Sequence, residues 1–181
     1  MAAESVLINA QSQVAREATS DRFQMLIAEH GESLMRLAGA YTNTPADRDD
    51  LFQETVLSIW QALPRFRGES SERTFIFRIA YNRAMTFLAR KPNRQTELSD
   101  EQPFHDPRPN PEQQLARDQQ RERLLAAIRR LPADYRRVIV LTLEGLAHAE
   151  VAEVLGLSVI NVAVRVNRAK QALRELLQEA K

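Results

Sequence analysis

"PRFRGESSERTFIFRIAYNRA", residues 64–84, sets a polar loop between two stretches with helical periodicity. Before it, Leu51, Thr55, Ile59 and Leu63 recur every four residues, with Phe52 and Val56 beside them. That is the apolar stripe of an amphipathic helix. Pro64 ends it, because proline has no N–H to donate and its ring clashes with the preceding turn. After the loop, the residues from Thr74 to Leu88 place Ile76, Phe77, Ala80, Ala84, Phe87 and Leu88 on a second stripe, so a second helix follows. Phe75 and Tyr81 fit either a core or an exposed role. The loop holds one Gly, two Ser and two Glu flanked by Arg, and an Arg-flanked polar loop against an aromatic-rich helix needs an explanation.

Working outward, Phe23, Leu26, Ile27, Leu34, Leu37 and Ala38 predict a helix from Phe23 to Tyr41. "TNTPADRDD" combines a turn with a helix start: Thr44 or Asp47 can cap, Pro45 suits the first turn, and the acidic cluster favours a helix N-terminus. Residues 1–20 are polar apart from Val6, Leu7 and Ile8 and read as a tail or a short helix. Residues 92–111 have no apolar period, and four of the eight prolines fall between Pro103 and Pro111. This is a linker of ~20 residues that can reach ~65 Å when extended, so the flanking halves need not touch. Periodicity returns with Leu115, Leu124, Leu125, Ile128 and Leu131, stopped by Pro132. Asp134 to Leu143 follows, with Val138, Ile139, Leu141 and Leu143, and Gly145 breaks it. Ala147 to Leu155, the turn Gly156-Leu157-Ser158 and a last helix from Val159 to about Glu179 complete the chain. The expected fold is all-α: a tail (1–20), a helical domain (21–92), a Pro-rich linker (93–111) and a second helical domain (112–181).

Composition removes several function classes. The 181 residues are 44% hydrophobic and 27% charged, with few glycines, which is globular and helix-prone. There is no cysteine, hence no disulfide, thiolate metal site or thiol catalysis. No apolar run approaches the ~18 residues of a membrane span, and the N-terminus lacks the basic start and apolar run of a secretory signal. A cytoplasmic, non-inserted protein is expected. His30, His105 and His148 are scattered, with no helix-spaced pair for a metal. No Gly-rich phosphate loop or nucleophile elbow is present. We expect no enzyme activity, no cofactor and no metal. The net charge is +1, so nucleic-acid binding has to come from local basic faces.

Two such faces exist. "HAEVAEVLGLSVINVAVRVNRAKQAL" has the spacing of a helix-turn-helix. Gly156 takes the tight turn, Ser158 can cap, and Val162, Val166, Ala169 and Leu173 form a buried stripe. The opposite face offers Ile160, Asn161, Val164, Arg165 and Arg168, with Ala163 and Asn167 on its margins. A recognition helix presents such a face to the major groove, where Arg and Asn pair with guanine and adenine and Ala or Val touch a thymine methyl. An ordinary helical hairpin with a solvated basic surface fits the same pattern. The second face lies between Arg65 and Arg94, where Arg65, Arg67, Arg73, Arg78, Arg83, Arg90, Lys91 and Arg94 are opposed only by Glu69 and Glu72. That suits a phosphate backbone, and aromatics beside small polar loop residues suit unpaired bases. A third surface is acidic. Asp50, Gln53 and Glu54 share one side of a helix with Leu57 exposed among them; a solvated acidic face fits that pattern, and the exposed Leu suits a protein partner carrying basic residues.

In this combination and order the segments resemble the extracytoplasmic-function group of bacterial RNA polymerase sigma factors, which keep only regions 2 and 4. "DDLFQETVLSIWQAL" resembles region 2.2, "RFRGESSERTFIFRIAYNRAMTFLAR" regions 2.3 and 2.4, and the run from Leu131 to Leu173 region 4. The resemblance implies that Asp50, Gln53, Glu54 and Leu57 grip the β′ clamp helices of core RNA polymerase, with the β subunit a further partner. Arg67, Gly68, Glu69, Ser70, Ser71 and Arg73 would form the loop that captures a flipped base of the −10 element. Arg78 and Asn82 would approach promoter DNA on the following helix. Ile160, Asn161, Ala163, Val164, Arg165, Asn167 and Arg168 would read the −35 element. An anti-sigma protein would be the usual inhibitor. One departure stands out: where the family often has a Gly-Thr-Val-Lys-Ser-Arg-like run, this chain has Ile160-Asn161-Val162-Ala163-Val164-Arg165, which is less polar. The alternative is a stand-alone helix-turn-helix regulator whose N-terminal half dimerises or binds an effector; it leaves the Arg-rich aromatic helix without a task.

Overall fold

The computed structural model describes residues 2–90 and 111–179, with side chains described for residue 17, 19–90 and 119–179. The described residues form seven α-helices and one 3-10 turn, with no strand among them. The helices are α1 (Ala2–Ala40), α2 (Pro45–Ala62), α3 (Glu72–Arg90), α4 (Pro111–Arg130), α5 (Ala133–Leu143), α6 (His148–Leu155) and α7 (Val159–Glu179). The all-α expectation holds. The linker 93–111 and His105 lie outside the described residues, apart from Pro111, which opens α4.

Residues 2–20 differ from the expected tail or short helix: they continue α1 without a break. The first Gly is Gly31 and the first Pro is Pro45, so no helix-breaking residue stands in the way, and Ala, Gln, Glu and Arg there are good helix formers.

The start of α2 is settled by chemistry. Thr44 Oγ1 accepts the Asp47 N–H at 3.1 Å, and Pro45 occupies the first turn. Thr44 is therefore the cap, while Asp47 is buried within the first turn. The helix ends at Ala62, and Leu63–Arg65 tightens into a 3-10 turn through Pro64. On α3 the expected stripe is buried as read, with Leu88 only partly covered. Phe75 is half-buried and packs on Phe66 with ring centroids 4.7 Å apart.

In the second half, the expected stripe Val162, Val166, Ala169 and Leu173 is buried. Gly156 sits at φ 65°, the left-handed turn that joins α6 to α7. Leu143 departs from its expected core place: it is 49% exposed at the end of α5, on the lip of a cleft lined by Arg36, Leu125 and Val140.

The two halves pack against each other, although a linker of that reach would let them stand apart. Helices α1 and α3 meet α4, α5 and α6, and the buried residues of both halves join one apolar cluster. Each fully buried large side chain in it, such as Leu34, Phe77 or Ile139, contributes roughly 1.5–3 kcal/mol of apolar burial. Arg129 adds polar ties, donating through Nη1 to the Gly39 and Thr42 carbonyls at 3.2 Å each.

Candidate functional site

The acidic face of α2 is present as an exposed surface. Asp50, Gln53, Glu54 and Leu57 line one cleft together with Phe87 and Arg90. Leu57 is 56% exposed, and Glu54 is tied to Arg90 at 3.4 Å. The cleft continues into an apolar hollow lined by Phe23, Phe52, Val56, Leu57 and Trp60. Trp60 is 41% exposed and meets Phe23 edge to face at 5.0 Å. Phe23 and Trp60 were not expected in this surface. The spacing held the hint: Gln53, Leu57 and Trp60 lie at i, i+4 and i+7, on the same side of α2.

The loop 65–71 is open at its tip. Gly68 has φ 74° with nothing near the position of a Cβ, and Arg67 and Glu69 are exposed beside it. Ser70 and Ser71 divide. Ser70 reaches only the Ser71 carbonyl, at 3.4 Å. Ser71 caps α3, its Oγ accepting the Thr74 N–H at 3.0 Å, so it serves the helix first. Glu72, one of the two acids opposing the basic residues between Arg65 and Arg94, is held by Arg22 Nε at 2.5 Å, and Arg22 also lies over the Phe66 ring at 5.1 Å.

The start of the cationic face of α3 meets α6 and the turn before it. Arg73 donates through Nη2 to the Glu144 carbonyl and lies 5.9 Å from the Phe77 ring centroid. Gly145 allows this approach, since a Cβ there would stand 3.0 Å from Arg73 Nη2, and its φ is 82°. Arg78 pairs with Glu153 at 2.5 Å. Glu150 accepts from Thr74 Oγ1 at 3.2 Å and Ser71 Oγ at 3.4 Å. Its carboxyl is held below the usual value chiefly by the Ala147 N–H at 2.8 Å, then by Thr74, Ser71 and Arg73. Behind them, Arg36 grips Glu144 with two bonds, Nε to Oε1 at 3.0 Å and Nη2 to Oε2 at 2.7 Å. Glu144 is only 7% exposed there, and its hydrogen bond raises the Arg36 guanidinium above its ordinary value. Of the residues read as approaching DNA on α3, Asn82 alone is exposed; Arg78 is engaged. Glu144, Glu150 and Glu153 had not been singled out.

The outer face of α7 is open. Ile160, Asn161, Val164, Asn167 and Arg168 are exposed and Ala163 is partly so. Arg165 is drawn toward α5, with Nη1 3.7 Å from Asp134. Ser158 caps the helix as expected, its Oγ accepting the Asn161 N–H at 3.3 Å. Among the described residues no cluster of three or more His, Asp or Glu could hold a metal, and no helix is long and apolar enough to cross a membrane.

A helix-turn-helix with an open outer face, joined to a helical bundle carrying an acidic-apolar cleft and a cationic aromatic helix, defines a two-lobed helical protein. Known proteins give that class its family. The family model described as Sigma-70 region 2 matches residues 26–94, and that described as Sigma-70, region 4 matches residues 121–173. The RNA polymerase sigma factor CnrH of Cupriavidus metallidurans is 33% identical over 164 residues, 86% of each chain. The ECF RNA polymerase sigma-E factor of Escherichia coli is 28% identical over 166 residues, again 86% of each. The structure of CnrH in complex with the cytosolic domain of CnrY superposes with a TM-score of 0.69 at 28% identity, covering 93% of this chain and 96% of that one. The sigma factor RpoE of Bartonella quintana, solved with the anti-sigma factor NepR, shares the fold at a TM-score of 0.66 and 23% identity, over 87% of this chain and 97% of that one. The chain belongs to the sigma-70 family of RNA polymerase sigma factors, in its extracytoplasmic-function group.

Proposed function

We propose that the chain is a dissociable specificity subunit that carries core RNA polymerase to promoters. The acidic-apolar face of α2 (Asp50, Gln53, Glu54, Leu57, with Trp60) docks on the β′ clamp helices. The loop 65–71 takes one extruded base of the −10 element, and Arg73, Arg78 and Asn82 contact its backbone and neighbours. Helix α7 reads the −35 element as duplex. The domain at 21–92 and the domain at 112–181 thus bind two promoter elements, with the segment between them spanning the distance. The chain supplies no bond-breaking chemistry; its work is binding and strand separation in the bacterial cytoplasm, where polymerase acts.

The observation that carries this reading is the pairing of an exposed Leu57–Trp60 patch inside the acidic side of α2 with an unobstructed recognition face on α7. A stand-alone regulator has no need of the first. Because Arg73 and Arg78 are held by α6 and the turn before it, their engagement of DNA requires the lobes to part, and polymerase docking supplies the free energy. An anti-sigma protein would oppose that step; CnrH, a relative, is known in complex with the cytosolic domain of CnrY. The test is direct. Purified chain mixed with bacterial core polymerase should co-elute with it on gel filtration as a monomeric subunit. A chain that ignores polymerase and binds duplex DNA tightly as a homodimer would instead be a stand-alone regulator.

A further inference from the structure

The first turns of α7 carry hydrocarbon where a recognition helix usually carries polar groups. Val159, Ile160 and Val164 are 48%, 77% and 44% exposed, three of the seven exposed large apolar side chains among the described residues. Ile160 and Val164, at i and i+4, form one strip, which Asn167 and Gln171 continue. All three of these exposed side chains are β-branched, a poor composition for a solvated helix face. The helix is held from behind by Val162 and Val166, at 0% and 1% exposure, and in front by the Ser158 cap. A β-branched side chain in a helix is confined largely to one χ1 rotamer, so the methyls of Ile160 and Val164 are already fixed and lose little entropy on contact.

Their surroundings select the partner. Residues 159–174 contain Arg165, Arg168, Lys170 and Arg174 and no Asp or Glu, in a chain whose net charge is only +1. An acid-free cationic face suits a polyanion. Arg165, the natural guanine reader, is turned toward Asp134 of α5 and its Nη1 is buried. Aliphatic groups are left at the front of the helix. The apolar group that a base edge offers in the major groove is the 5-methyl of thymine. We propose that Ile160 and Val164 read thymine 5-methyl groups in the −35 element, so that its base preference is set by apolar contact while Arg168 and Arg174 hold phosphates. This rests on α7 being the DNA-reading helix.

The test removes the methyl and nothing else. The full chain, alone and with core polymerase, selects duplexes from a random library, and the enriched duplexes are remade with deoxyuridine at each thymine in turn. The expected result is a thymine-bearing site in which one or two deoxyuridine substitutions each weaken binding by about fourfold, the worth of one buried methyl. I160A/V164A, altered only at exposed positions, should keep the wild-type melting temperature and bind thymine and deoxyuridine duplexes equally. Arg168→Ala should weaken both duplexes alike and lower the salt slope by about 1. Equal binding of both duplexes by the unaltered chain, with R168A still weakening it, overturns methyl reading and leaves α7 as a DNA reader. Failure to enrich any duplex, or enrichment indifferent to R168A, overturns the DNA reading beneath it as well. An unchanged thymine preference in I160A/V164A, with lost binding to an acidic amphipathic peptide, assigns the strip to a protein partner and overturns the proposal.

Discussion

Leu57 shows what a single residue can announce. A leucine left 56% exposed between Asp50, Gln53 and Glu54 keeps apolar surface in water that a partner would remove, at about 25 cal/mol per Å². Glu54 beside it tests the idea without harming the fold. Its pairing with Arg90 at 3.4 Å is exposed, and such pairs are worth at most about 1 kcal/mol. Glu54→Lys should leave the melting temperature nearly unchanged while weakening the complex with core polymerase roughly tenfold or more, because a like charge against a basic partner costs several kcal/mol. Titration of labelled chain with polymerase measures this, and unchanged affinity removes α2 from the interface. These acidic residues were legible in the sequence because charge and spacing alone put them on one side. Phe23 was not, because its meeting with Trp60 joins two helices, and periodicity within one helix carries no information about its neighbour.

At the scale of an element, caps decide where helices begin. Thr44 holds α2 through the Asp47 N–H, and α2 carries the acidic-apolar cleft. Thr44→Ala should cost about 1 kcal/mol, read as a lower urea midpoint with an unchanged slope. No loss would mean that the cap hydrogen bond adds nothing in the folded chain. The sequence offered Thr44 and Asp47 as equal candidates, since either oxygen can accept from an early N–H. Only the fold separates them, by burying Asp47. Ser71 carries the same ambiguity. A serine beside Gly68 reads as a hydrogen-bonding group free for a base, yet its Oγ is taken by the Thr74 N–H. Caps and base contacts use the same atoms, so sequence cannot apportion them. The helix-turn-helix was legible in full, because its turn glycine, its cap and its four-residue buried stripe all constrain one another within a few residues of chain.

At the scale of the whole molecule, the closed arrangement of the lobes was invisible in the sequence. Arg36 to Glu144 spans 108 residues and Arg78 to Glu153 spans 75, and no local pattern marks which glutamate meets which arginine. The arrangement makes its own prediction. Glu144→Gln with Glu153→Gln removes two charges while keeping shape, so the chain should expand, seen as a larger radius of gyration in solution scattering; an unchanged radius would mean that the apolar contacts alone close the lobes. Acid should act in the same direction through Glu150. Its carboxyl is depressed in the folded chain, so its contribution is fully present above its ordinary value of 4.5 and lost as the pH falls below it. Part of that loss belongs to the start of α6, through Ala147, and only the Thr74, Ser71 and Arg73 part to closure. Opening matters to the proposed function because it would free Arg73 and Arg78 of α3, while the outer face of α7 is already accessible. The most direct test is transcription by purified core polymerase on host genomic DNA, with and without the chain, with every RNA 5′ end mapped. The chain should create discrete start sites preceded by one shared pair of −35 and −10 sequences, and Glu54→Lys should sharply reduce their use at the same chain concentration. Start sites no different from those of core polymerase alone would contradict the account.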